Sequence, residues 1–287
     1  MRVFAHIVAW LPFPLLYLVS DVLASLASLF YRRKMVTANL TACFPEKSAM
    51  EIRTIRAKFY RNLTDVSLEA FKTLRMDRSE FKERVKLIRN EAYEEIERNQ
   101  SPFLLYASHQ CNWEWLGTAI GIQLAPLDPI YKEIRNSGSN RLMAEIRSKF
   151  GNRPIPAAQA GRVYRYQKEF RGGGIIADQS PTRKNKGKVW ANFLGRETPF
   201  YQGIFVLPYL TQLPVYYVSV VRVARGKYEV ELHKMADPPY QKGEHQVLDQ
   251  YIRFSESAVR ARPSDWLWSH NRWKYRRSKN EELINFQ

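Results

Sequence analysis

Residues 103–115, FLLYASHQCNWEW, constrain the fold more than any other stretch of the chain. Phe103-Leu104-Leu105-Tyr106 has the length and composition of a buried strand. The run leads into His109, and Glu114 follows five positions later. On one continuous helix five residues turn through about 500°, which would leave the two side chains roughly 140° apart. They meet only if His109 sits in a turn and Glu114 in the first turn of a helix starting near Asn112. A strand, a polar turn and a helix start are therefore expected. A His–carboxylate pair in such a turn is a general base with an orienting partner. The neutral imidazole takes a proton from a hydroxyl or water, and the carboxylate fixes the tautomer and stabilises the imidazolium. The same spacing suits a buried histidine bonded to backbone, with Glu114 as a first-turn acid favoured by the helix dipole. H-x4-E alone does not separate the two readings.

The 287 residues suffice for one large domain or two small ones with ample core. Lys and Arg number 45 against 28 Asp and Glu, a net charge of +17. Such a surplus points to an anionic partner: nucleic acid, an acidic membrane surface or an acidic protein. Cys43 and Cys111 form no C-x-x-C, so neither a disulfide framework nor a zinc knuckle is indicated. Cys111 lies between His109 and Glu114, but no further ligand cluster supports a metal there, and it reads as a small filler.

Residues 3–20 contain no Asp, Glu, Lys or Arg; after Asp21 an apolar stretch continues to Arg32-Arg33-Lys34. Eighteen uncharged residues nearly span a bilayer, which needs about 20. Pro12 and Pro14 interrupt any single helix, and Asp21 is awkward in hydrocarbon. Residues 1–34 are expected to be a membrane anchor, kinked or partly in-plane, with the basic cluster leaving residues 35–287 in the cytoplasm as the catalytic domain. Ser48 and Glu51 make a capping box for a helix reaching to about residue 76, and a second helix is expected over 78–98. Beyond the central motif, helices are expected at 116–123, 140–150 and 162–170, and strands at 129–131 and 175–177, the last closed off from its helix by Gly172-Gly173-Gly174. This is the rhythm of an α/β domain with a mixed, mostly parallel sheet flanked by helices. In such sheets sites collect beyond the carboxyl ends of strands, where His109, Lys132 and Asp178 all fall. Residues 179–201 read as a loop in which Arg183, Lys188 and Arg196 interleave with Trp190, suited to stacking on bases or to holding phosphates at a membrane. A helix at 203–211, an antiparallel pair turned at Arg225-Gly226 and a helix at 244–260 complete the chain before a tail rich in Trp and Arg.

Five blocks in order, HQCNWEW, RSKFGNRPIP, GGGIIADQSP, KVWANFLGRETPFYQG and PSDWLWSHNRWK, together with the opening LPFPLLYLVSDVL, resemble the lipid A late acyltransferases. These form the lauroyl/myristoyl branch of the lysophospholipid acyltransferases, and the resemblance covers nearly the whole chain. It implies transfer of a fatty acyl chain from a thioester to a hydroxyl of a membrane-embedded lipid A precursor, at the cytoplasmic face of a bacterial inner membrane. His109 would be the general base and Glu114 its partner. Asp178 and Gln179 match the family's D-Q pair. Lys132 stands where many relatives carry Arg, and the family's further Arg maps to Arg153 or, alternatively, Arg147. The developing oxyanion would meet Arg153, Lys132 or N–H groups near Asn112, while the acceptor's phosphates would meet the loop of Arg183, Lys188, Trp190 and Arg196. Acyl carrier protein, being acidic, suits the +17 surface as donor, and so does acyl-CoA. A thioester is already activated, so a serine-like covalent nucleophile is unnecessary; no cofactor and no metal are expected. Two other readings stand beside this one: the same chemistry on an aminolipid or lysophospholipid, and a non-enzymatic protein binding membrane or nucleic acid. The last explains neither the strand-end cluster nor the apolar N-terminus.

Overall fold

In the computed structural model, residues 2–131, 137–182 and 187–286 are described. The elements run α1 (Arg2–Trp10), α2 (Phe13–Phe30), α3 (Arg33–Cys43), α4 (Ala49–Lys72), α5 (Arg78–Arg84), β1 (Val85–Leu87), α6 (Glu91–Asn99), β2 (Phe103–Ala107), α7 (Trp113–Gln123), β3 (Leu127–Tyr131), α8 (Ser137–Ser148), β4 (Ile155–Pro156), α9 (Ala157–Arg165), β5 (Gly172–Ile176), β6 (Lys188–Phe193), β7 (Arg196–Tyr201), α10 (Gly203–Thr211), β8 (Val215–Ala224), β9 (Lys227–Ala236), α11 (Gln246–Ala261) and β10 (Leu283–Ile284).

Seven strands form the main sheet in the order β1-β9-β8-β2-β5-β3-β4. All its pairings are parallel except β8 with β9. This is the mixed, mostly parallel α/β sheet expected from the strand–helix rhythm. Because β2 is central, its alternate side chains enter two cores. Leu104 and Tyr106 join α9, α10, α11 and the C-terminal tail on one face. Phe103, Leu105 and Ala107 join α5, α6 and α7 on the other. A strand covered on both faces must be apolar throughout, and all five residues of β2 are buried.

Several local expectations are corrected. The helix expected over 78–98 is instead α5, β1 and α6. Asn90 accepts a hydrogen bond from Tyr93 N at 3.0 Å and so starts a new helix, while Val85–Leu87 pairs with the edge of β9. The helix expected at 162–170 starts earlier and ends at Arg165. Gly172-Gly173-Gly174 is not a turn but the body of β5, in register with Phe103-Leu104-Leu105. A Cβ on Gly172 would come within 2.6 Å of the Phe103 ring and 2.7 Å of Leu127, so only glycine lets these chains pack across the strand. The basic–aromatic loop is largely the hairpin β6–β7, turned at Leu194-Gly195 with φ of 53° and 73°. Positive φ at both central residues is the signature of a type I′ turn. The Ser48–Glu51 capping box is present: Glu51 N donates to Ser48 Oγ at 3.3 Å, and Ser48 N donates to Glu51 Oε2 at 2.8 Å.

At the N-terminus, Pro12 separates α1 from α2. α2 is long and apolar enough to cross a membrane by length and composition, and only 17% of it is buried inside the protein.

Candidate active site

Parallel register brings the site together. Ala107 of β2 pairs with Ile176 of β5, so the residues two further on, His109 and Asp178, emerge side by side beyond the strand ends. Asp178 Oδ1 lies 2.5 Å from His109 Nδ1, and Oδ2 accepts the His109 backbone N–H at 2.9 Å. With its proton on Nδ1 facing Asp178, the ring presents Nε2 as an acceptor. Gln179 lies at that nitrogen, its Nε2 at 3.3 Å. Asp178 is deeply buried, which alone would raise its pKa. The charge of His109, its two hydrogen bonds and a third from Trp266 outweigh burial and hold the carboxyl below the usual range.

The orienting partner that spacing assigned to Glu114 is thus Asp178. Glu114 does lie in the first turn of α7, but its carboxylate takes a bidentate pair from Arg147 of α8, with Nε–Oε2 at 3.0 Å and Nη2–Oε1 at 2.7 Å. Burial works against the Arg147 charge; Glu114 overcomes it and raises the guanidinium's pKa. The helix turns Glu114 toward α8, whereas the sheet register puts a different carboxylate beside the imidazole.

The turn itself is held from behind. Asn112 caps α7, its Oδ1 accepting from Trp115 N at 2.9 Å, and its Nδ2 donates to Glu69 Oε2 at 2.7 Å. It is buried, so its position is that of a strut for the turn and not of a substrate contact. The C-terminal tail closes over the same turn. Leu267 N donates to His109 O at 3.1 Å and Cys111 N to Asp265 O at 2.9 Å. The Trp266 indole N–H donates to Asp178 Oδ2 at 2.7 Å. Sequence reasoning gave the tail no such role. Trp266 lies 88 positions from Asp178, and no local pattern links the two.

His109, Glu114, Arg147 and Gln179 open into a cavity of about 1090 Å³. Its walls are mostly apolar and come from both faces of the sheet: Leu105, Leu116, Ile120 and Val218 on one, Ile175, Ala160, Ile204 and Leu207 on the other. Arg147 is the one Lys or Arg among the described lining residues. The other expected cations lie elsewhere. Arg153 is on the surface beside Glu169, 3.3 Å away. Lys188 pairs with Glu281 at 2.8 Å, and Arg196 stacks over Trp273 with its guanidinium 4.5 Å from the ring centre. Trp190 is a core residue, not an interface. The hairpin that forms from the expected loop spends these side chains on its own packing against the tail. Lys132 and Arg183 lie outside the described residues. Among those residues, no group of three or more His, Cys, Asp and Glu is placed to hold a metal ion.

A strand-end histidine facing an apolar cavity, with a partly buried ion pair in its wall, is an arrangement suited to group transfer onto or from a lipid. The family model described as "Bacterial lipid A biosynthesis acyltransferase" matches residues 2–275, so the chain belongs to that family and is an acyltransferase. No curated protein matches it. Among solved structures it is similar to the 1-acyl-sn-glycerophosphate (LPA) acyltransferase PlsC from Thermotoga maritima, with 15% identity and a TM-score of 0.40 over 86% of this chain and 96% of that one.

Proposed function

We propose that the protein moves a fatty acyl chain from a thioester, carried by acyl carrier protein or coenzyme A, to a hydroxyl of a lipid A precursor. His109 acts as the general base. The observation that carries this reading is the His109–Asp178 pair aimed, through Nε2, into the apolar cavity. The acceptor hydroxyl gives its proton to His109 Nε2 as its oxygen attacks the thioester carbonyl. The tetrahedral oxyanion collapses by breaking the C–S bond, and the imidazolium returns the proton to the leaving thiolate. Asp178 holds the tautomer and stabilises the transient imidazolium. Arg147, fixed by Glu114 and the one Lys or Arg among the described residues lining the cavity, serves the oxyanion or an acceptor phosphate. Gln179 would turn away from Nε2 as the hydroxyl arrives.

Residues 1–34 form the membrane-attaching part and 35–287 the catalytic domain, at the cytoplasmic face of the inner membrane. Support comes from the exposed apolar residues of α1 and α2 and from the basic run Arg32-Arg33-Lys34. The test is acyl transfer from acyl carrier protein to a purified lipid A precursor, with wild type beside His109→Ala. Product from wild type alone is expected. Equal turnover by the variant would sink His109 as the base, and a wild type active only on another lipid would replace the acceptor.

A further inference from the structure

We propose that α1 and α2 lie flat at the membrane surface and do not cross it, with a lipid bilayer covering their shared apolar face. This rests on the membrane-bound reading above and adds its geometry: the N-terminus stays on the same side as the catalytic domain.

α2 has two faces of different chemistry. Leu16, Ser20 and Ala24, spaced by four, are buried against the protein. Leu18, Val22, Leu26 and Leu29 form the opposite stripe and are exposed. The inner face is fastened by polar bonds. Tyr17 Oη donates to Glu69 Oε1 at 2.9 Å, and Ser20 Oγ donates to Asp65 Oδ1 at 2.6 Å. Asp21 accepts from Arg225 Nη1 and Nη2 at 2.9 and 2.7 Å. Asp65 and Glu69 are fully buried in α4, and Arg225 bonds Asp65 as well as Asp21.

Crossing the bilayer would undo all of this. Asp21 falls at the middle of the 18-residue helix, so a span would carry a carboxylate to the bilayer midplane, its most costly depth, without Arg225. Held flat, Asp21 keeps Arg225 while the outer stripe meets acyl chains. α1 extends the same surface through Phe4, Ile7 and Trp10, all exposed. Its inner side packs Ala5 against Leu142 and Ile146 of α8, the helix whose Arg147 stands in the cavity wall. The platform therefore packs on the helix that supplies one wall residue of the cavity. The exposed Arg32-Arg33-Lys34 after α2 suits anionic headgroups.

The test uses full-length protein in sealed vesicles of one orientation, with single substitutions Arg2→Cys and Lys242→Cys and a membrane-impermeant maleimide. The native Cys43 and Cys111 are buried and stay unlabelled. Both introduced cysteines should label from the same side and to the same extent. Labelling from opposite sides would overturn the proposal in favour of a span. In a third variant, Val22→Cys, a fluorophore should be quenched by lipids brominated in their acyl chains. No quenching, with the protein dimeric, would mean that a second copy covers this face. Acyl transfer measured on the same vesicles reports the catalytic reading separately.

Discussion

In the proposed mechanism His109 works only as well as Asp178 holds it. Asp178→Asn keeps the shape but loses the charge and favours the wrong tautomer, so kcat should fall by about 10³–10⁴-fold with the fold intact, as assays beside circular dichroism would show. Trp266→Phe is a finer probe. It removes one donor from Asp178 Oδ2, which leaves more negative charge facing the imidazole. The proton is then given up less readily, so the acid limb of the kcat/KM profile should move to higher pH while KM changes little. A profile that drops without moving would make Trp266 a packing residue only. Glu114 and Arg147 form the second residue-scale test. Glu114→Gln leaves a half-buried guanidinium without its charge partner and should cost about 1–3 kcal/mol in urea denaturation. Adding Arg147→Gln should restore part of that stability but none of the activity. Restored turnover would remove the pair from the chemistry.

At the scale of elements, β5 shows how composition misleads. Three consecutive glycines read as a turn, yet their flexibility is not what the fold uses. What matters is the missing Cβ, because Phe103, Leu127, Tyr164 and Leu104 cross the space that side chains would fill. Gly172→Ala should destabilise the protein by about 1–3 kcal/mol through overpacking against aromatic and leucine side chains that have nowhere to move. Gly203→Ala is the control, since an added Cβ there meets nothing within 4 Å. Equal stability of the two variants in denaturant would refute this account. β5 also sets the register with β2, so a shift in it would separate Asp178 from His109.

For the molecule as a whole, acid stability depends on the tail. His270 is held neutral: burial lowers its pKa from 6.5 to about 4 despite the nearby Asp178, with Arg272 adding to the lowering. The unfolded chain therefore binds a proton that the folded one refuses between those values, and stability rises with pH across that window. Asp178, held low in the folded state, acts in the same direction further down, its contribution being lost as pH falls through its folded value. Thermal midpoints should drop as pH falls from 6.5 to 4, and His270→Gln should remove on the order of 1–2 kcal/mol of that loss after solvent screening. An unchanged pH slope in the variant would refute this role for His270.

What local chemistry along the chain can specify was readable in advance. Apolar runs marked β2 and β8, the capping box marked α4, and Asn112 marked the start of α7. These are interactions between residues a few positions apart, and they carry the sheet class and the place of the candidate site at its strand ends. Long-range pairing settled the rest. Glu114 is near His109 in sequence, but α7 turns it to Arg147, while β2–β5 register delivers Asp178 from 69 positions away. Arg153, Lys188 and Arg196 have the charge a phosphate site needs, but surface and tail contacts hold them away from the cavity. A cation's sequence neighbours do not say which side chain will reach it first. That is decided by elements that meet only when the sheet closes.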